Sequence, residues 1–317
     1  MRVAFVGKGG SGKSTTCAAF IRYLKNKNRT VLAVDADVNR HLPAMLGFET
    51  QPTSLALNEG DIFDYLKGSR NDISKFVSTT PPSFQSRLIK PVGGDPFVDR
   101  YALQDGNLAL ISVGRYEQGD VGDSCYHGKL YTLAAILHHT VDLPDEWVVA
   151  DSTAGTDGLA TSLYYAYDAY VYVVEPTVKS IQVYKDFLEA TAAKAKPVYV
   201  VINKADEQDM NFIREHIDEA HILAVLPPSG ELRRYEQGDT QAFERFCASV
   251  TPQLQNIETT LSVLRRDYDA YYGQLVSLHN ELAQKWANTY YQAQLDFTPA
   301  KDFSYGACFA DLREQAA

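Results

Sequence analysis

No stretch of the 317-residue chain approaches the roughly 18 consecutive apolar residues of a membrane span. Cysteine is scarce: Cys17, Cys125, Cys247 and Cys308 lie far apart, which argues against a disulfide framework. Positive charge is in deficit, with 30 Lys and Arg against 40 Asp and Glu, so bulk attraction to nucleic acid is not expected. The C-terminal part lacks the basic amphipathic character of a membrane-surface helix, so no membrane partner is expected. A charged leader with an apolar stretch is not expected either, because the chain enters an apolar β-type run at residue 2. A cytoplasmic protein is expected.

That first run ends in the chain's most informative stretch. Gly7 to Ser14, GKGGSGKS, fits G-x-x-x-x-G-K-[ST] between a strand and an amphipathic helix bearing Phe20, Ile21 and Leu24. Gly9, Gly10, Ser11, Gly12 and Thr15 complete the loop and helix start. Glycines let successive backbone N–H groups turn inward onto phosphate oxygens. The positive end of the following helix adds to this. Lys13 supplies a point charge for the β- and γ-phosphates, and the Ser14 hydroxyl suits Mg²⁺.

Further near-continuous apolar runs read as strands buried on both faces of a parallel sheet: TVLAVDAD (30–37), NLALISVG (107–114), EWVVADSTAG (146–155), AYVYVV (169–174), KPVYVVINKAD (196–206) and HILAVL (221–226). Asp35, Asp37 and Asp151 end two of them, where an open α/β sheet places its ligand crevice. Asn203-Lys204-Ala205-Asp206 ends another. It matches the guanine-reading N-K-x-D pattern, and it also resembles the position at which the ATPase family described below contacts adenine through an asparagine alone. Residues 50–105, with Pro81-Pro82 and Gly93-Gly94, read as short helices and a long loop on the ligand side of the sheet.

The second lysine, Lys8, makes KGGSGKST resemble the deviant Walker A loop. That family includes the nitrogenase iron protein, the Min and Par ATPases and the nickel-insertion ATPases of carbon monoxide dehydrogenase. The resemblance spans residues 1 to about 240. It implies an ATP-binding, Mg²⁺-dependent ATP hydrolase that forms a homodimer around nucleotide, with Lys8 reaching the partner's nucleotide in trans. DADVNRHL resembles the first switch, which gives Asp37 the role of orienting the attacking water and a place beside Mg²⁺, and Asp35 an assisting role at Mg²⁺. Val38 and His41 depart from that pattern. D-S-T-A-G resembles the second switch, with Asp151 reaching Mg²⁺ through water and the Gly155 backbone sensing the γ-phosphate. Pro227, Pro228 and Glu231 stand where the family closes over the base, and the asparagine resemblance favours ATP over GTP.

Cys125-Tyr126-His127 lies where the nickel-insertion ATPases carry a Cys-x-Cys pair across their dimer. A thiolate and an imidazole from each copy would supply S₂N₂, suited to Zn²⁺ and open to Ni²⁺. Equally, Cys125 reads as a small buried residue and His127 as a helix N-terminal contact. The function expected on this resemblance is nucleotide-gated motion serving metallocentre maturation or metal delivery to a client metalloenzyme. A positioning or scaffold ATPase without metal, like the Min and Par ATPases, is the alternative, although it would need a DNA-binding or membrane-binding surface.

Leu254, Ile257, Leu261, Leu264, Tyr268, Tyr271, Leu275, Leu278 and Leu282 alternate spacings of three and four, an a/d stripe. The spacing predicts one long helix to about residue 294. It would pack on its own domain, pair with a second copy or hold a client. The expected organisation is therefore an α/β, doubly wound, mostly parallel P-loop NTPase sheet over 1–245, followed by a helical extension over 246–317.

Overall fold

The computed structural model describes residues 1–91, 93–115, 126–143, 145–153, 161–194 and 196–308. The apolar runs become strands β1 (Arg2–Gly7), β2 (Thr30–Asp35), β3 (Leu103–Asp105), β4 (Leu108–Ser112), β5 (Glu146–Asp151), β6 (Ala169–Val174), β7 (Val198–Asn203) and β8 (Ile222–Leu226). Among the described residues they form one sheet in the order β3-β4-β2-β5-β1-β6-β7-β8. Only β3 runs antiparallel to its neighbour.

Alternation along each strand feeds two cores. Val3 and Phe5 of β1, Val31 and Ala33 of β2, and Trp147 and Val149 of β5 point to one face. There they meet helix Lys13–Asn26 through Cys17, Phe20, Ile21 and Leu24. Ala4, Val6, Leu32, Val34, Val148 and Ala150 point to the other face, where helices Glu59–Lys67, Tyr126–His138 and Val178–Thr191 cover them. With both faces covered, apolar residues are favoured at nearly every strand position. The doubly wound, mostly parallel sheet is therefore as expected. No helix among the described residues is long and apolar enough to cross a membrane.

The expected single C-terminal helix is not formed. The stripe divides into helices Thr251–Leu261 and Tyr268–Leu282, followed by a π-helical turn at Ala283–Ala287 and a short helix Asn288–Tyr291. Two local interactions outweigh continuation. Asp267 accepts from the N–H groups of Asp269 (3.1 Å) and Ala270 (2.9 Å), capping the second helix. The neighbouring Arg266 turns inward, its Nε donating to Asp168 at 2.8 Å. The two halves of the stripe thus serve different surfaces. Leu254, Ile257 and Leu261 join the core beneath helix Lys13–Asn26, whereas Tyr271, Tyr272 and Leu275 pack with Val141, Phe297 and Tyr305.

A buried ionic cluster that periodicity does not reveal underlies the N-terminal end of β1. Arg2 is fully buried. Its Nε donates to Asp142 at 2.6 Å, and its terminal nitrogens donate to the carbonyls of Leu137 and Thr140. Burial alone would lower the Arg2 pKa, but Asp142 and the surrounding tyrosines hold it above its ordinary value.

Candidate functional site

The site forms at the C-terminal ends of β1, β2, β5 and β7, where the strand order reverses around β1. Gly10 and Gly12 adopt φ of +83° and +87°, the left-handed region that favours glycine. At Gly12 space matters as much as conformation, because a Cβ there would lie 2.0 Å from Nδ2 of Asn203. Asn203, from the end of β7, uses that closeness: its Nδ2 donates to the Ser11 carbonyl at 2.7 Å. Lys204 donates from Nζ to the Gly10 carbonyl (3.0 Å) and to Glu175 (2.8 Å). The phosphate-loop backbone is therefore braced from β7. The N-K-x-D pattern has here a role in holding the loop, which its base-reading interpretation did not include.

Parallel pairing in register sets Asp35 of β2 beside Asp151 of β5. Lys13, buried at the start of its helix, lies within reach of two carboxylates. Its Nζ is 2.8 Å from Asp37 Oδ2 and 2.7 Å from Asp151 Oδ1. Burial works against the lysine charge, but Asp151 and Asp37 outweigh it and raise the pKa to about 12. Asp37 is itself opposed by burial, yet Lys13 holds its carboxyl below the usual range. Asp35 has no such cation in contact. Burial, reinforced by Asp151, pushes its pKa up to about 8, so it carries a proton at neutral pH. Burial also raises Asp151 despite Lys13, and the Ser14 hydroxyl lies beside that carboxylate.

The donor set suits Mg²⁺. Among the described residues, the buried Asp35 Oδ2 and Asp151 Oδ2 have no hydrogen-bond partner. Such hard oxygens, with the Ser14 hydroxyl nearby, match the ion's preference.

Other expected residues fall differently. Lys8 is half-buried, its Nζ 3.5 Å from the Gly9 carbonyl. Thr15 follows Ser14 on the first turn of its helix. Asp206 is exposed and accepts from the Gln208 N–H at 2.8 Å, and Pro227 is exposed just beyond β8. The Ala205 N–H donates to the Leu226 carbonyl, which brings these two loops together. Cys125 and Gly155, and the side chain of His127, lie outside the described residues. Among the described residues, no cluster of three or more His, Cys, Asp or Glu could hold a metal ion of its own.

A glycine-rich loop around a buried lysine, with aspartates on adjoining parallel strands, defines a P-loop nucleotide-binding protein. The chain belongs to the CobQ/CobB/MinD/ParA nucleotide-binding domain family, whose model matches residues 3–241. An uncharacterized ATP-binding protein of Methanocaldococcus jannaschii, MJ0084, is 24% identical over 235 residues, 74% of this chain and 90% of that protein. The carbon monoxide dehydrogenase accessory protein CooC of Rhodospirillum rubrum is 24% identical over 247 residues, 77% of this chain and 90% of that protein. Among solved structures, a ParA family ATPase from Chlorobium tepidum superposes with a TM-score of 0.54 at 17% identity. The match covers 83% of this chain and 99% of that one, a likeness of fold.

Proposed function

We propose that this protein is a Mg²⁺-dependent ATP hydrolase whose nucleotide-gated homodimerisation drives a conformational change serving metallocentre maturation or metal delivery to a client. The observation that carries the hydrolase reading is the buried Lys13 held between Asp37 and Asp151 under a braced phosphate loop. An arriving triphosphate offers Lys13 oxygens of higher charge than either carboxylate. Lys13 then turns from Asp37 to the phosphates, and Asp37 becomes available to orient water for in-line attack. The loop N–H groups hold the β-phosphate oxygens. Asp35, Asp151 and Ser14 would hold Mg²⁺, which when bound offsets phosphate charge. Lys8 would serve a second copy's nucleotide, a reading supported by its partly exposed side chain at the start of the loop.

The metallocentre role rests on the likeness to CooC and on the Cys125-x-His127 pair read in the sequence. Two copies would offer S₂N₂ for Zn²⁺ or Ni²⁺ as cargo.

Phosphate release from Mg-ATP, with light scattering to follow dimerisation, tests the reading. Wild type should hydrolyse ATP and dimerise with it. Lys13→Gln should lose binding, and Lys8→Ala should retain binding while losing turnover. No heat of ATP binding to wild type would overturn the reading. Metal per dimer after anaerobic purification, compared between wild type and Cys125→Ala, tests the cargo role, and equal metal would remove it. Stimulation by DNA or anionic vesicles would favour a positioning ATPase instead.

A further inference from the structure

The family match ends at residue 241, yet the chain beyond it grips the segment that follows the Asp151 strand. His138, at the C-terminal end of helix Tyr126–His138, is fully buried. Its Nδ1 is 2.8 Å from the Tyr271 hydroxyl, and its Nε2 is 3.2 Å from the Ser162 hydroxyl. Burial, aided by nearby cations, keeps the imidazole neutral, with one donor and one acceptor nitrogen. Hydroxyls can donate or accept, so both ends of the bridge are satisfied in either tautomer.

Two further bonds reach the same segment from the same extension. Arg266 donates to the Ala166 carbonyl at 2.9 Å and to Asp168 at 2.8 Å. Tyr305 donates to the carbonyls of His138 (3.0 Å) and Thr140 (2.8 Å), fixing the end of the helix that carries the imidazole. Residues 162–168 are therefore held at Ser162, Ala166 and Asp168 by groups that depend on residues 266–305.

We propose that His138 is a positioning residue that couples Ser162 to the C-terminal helix Tyr268–Leu282, so that nucleotide at Asp151 and the state of that helix bias each other. This rests on the reading that nucleotide binds beside Lys13 and Asp151. Coupling of this kind is reciprocal, so whatever engages the extension would in turn alter nucleotide affinity.

Hydrogen exchange of the full chain, with and without Mg-ATP, separates the two ideas. Peptides covering residues 8–20 report nucleotide binding, and those covering 268–282 report the coupling. In wild type both should respond, the second by roughly fivefold in exchange rate, at the low end of ordinary coupling. Ser162→Ala and Tyr271→Phe should keep the first response and lose at least half of the second, while Ser162→Thr, which retains the hydroxyl, should restore it. The same two deletions should lower kcat by roughly threefold to tenfold with little change in KM, the scale of one buried hydrogen bond. A silent 268–282 segment in a protein whose 8–20 segment responds would overturn the coupling. So would a full response in both deletion variants. A silent 8–20 segment would remove the nucleotide reading, and the coupling with it.

Discussion

Asp35→Asn should make the nucleotide-free protein more stable while weakening its function. With its carboxyl raised to about 8 from an ordinary 3.8, Asp35 stays protonated at pH 7 in the native state, whereas the unfolded chain releases that proton. Each pH unit is worth ~1.4 kcal/mol, so the three or so units between 3.8 and 7 correspond to roughly 4 kcal/mol lost from native stability. Asparagine is neutral in both states. Its Oδ1 can still accept from the Asp37 N–H, as Asp35 does at 3.3 Å. Structural relaxation and the new buried amide reduce the gain, so about 2 kcal/mol is expected at pH 7. For a 317-residue chain that is about 3 °C in Tm.

The sign follows from linkage. Below pH 3.8 both states hold the proton and stability is undiminished; it then falls as pH rises through the folded value near 8. Thermal unfolding in chelator from pH 5 to pH 8.5 should show a gap between variant and wild type that widens up to about pH 8 and then levels. An asparagine variant less stable than wild type, or a gap independent of pH, would show that Asp35 is ionised in the resting site and refute the reasoning.

Gly12→Ala should abolish nucleotide binding by calorimetry, because its Cβ would meet the Asn203 amide at 2.0 Å and φ is +87°. Adding Asn203→Ala should relieve the clash without restoring affinity, since left-handed alanine still costs about 1–2 kcal/mol. Arg266→Ala should destabilise the fold by about 3 kcal/mol in urea unfolding, since Asp168 would lose its 2.8 Å partner. Asp206→Asn should shift an ATP–GTP competition only if the base bound is guanine; an unchanged ratio is expected, in keeping with a carboxylate turned toward the Gln208 N–H.

Near-continuous apolar runs ending in Gly or Asp determined where the strands and the phosphate loop lie, because backbone conformation and two-sided burial leave a local imprint. The loop needed no tertiary information: glycines at 10 and 12, followed by Lys13 and Ser14, carry their chemistry in adjacent positions. Tertiary structure alone decided which strands neighbour one another, and hence that Asp35 sits beside Asp151 and shares in its electrostatics. It also decided that the heptad-like stripe breaks at 262–267, where a buried Arg266 and a capping Asp267 prevail over periodicity. Arg2 opens the run read as apolar, and only its burial against Asp142 reveals an ionic core. The contact between His138 and Tyr271 spans 133 residues. Such pairings leave no period or motif in the chain, because their energy comes from desolvation and geometry that exist only once the layers have closed.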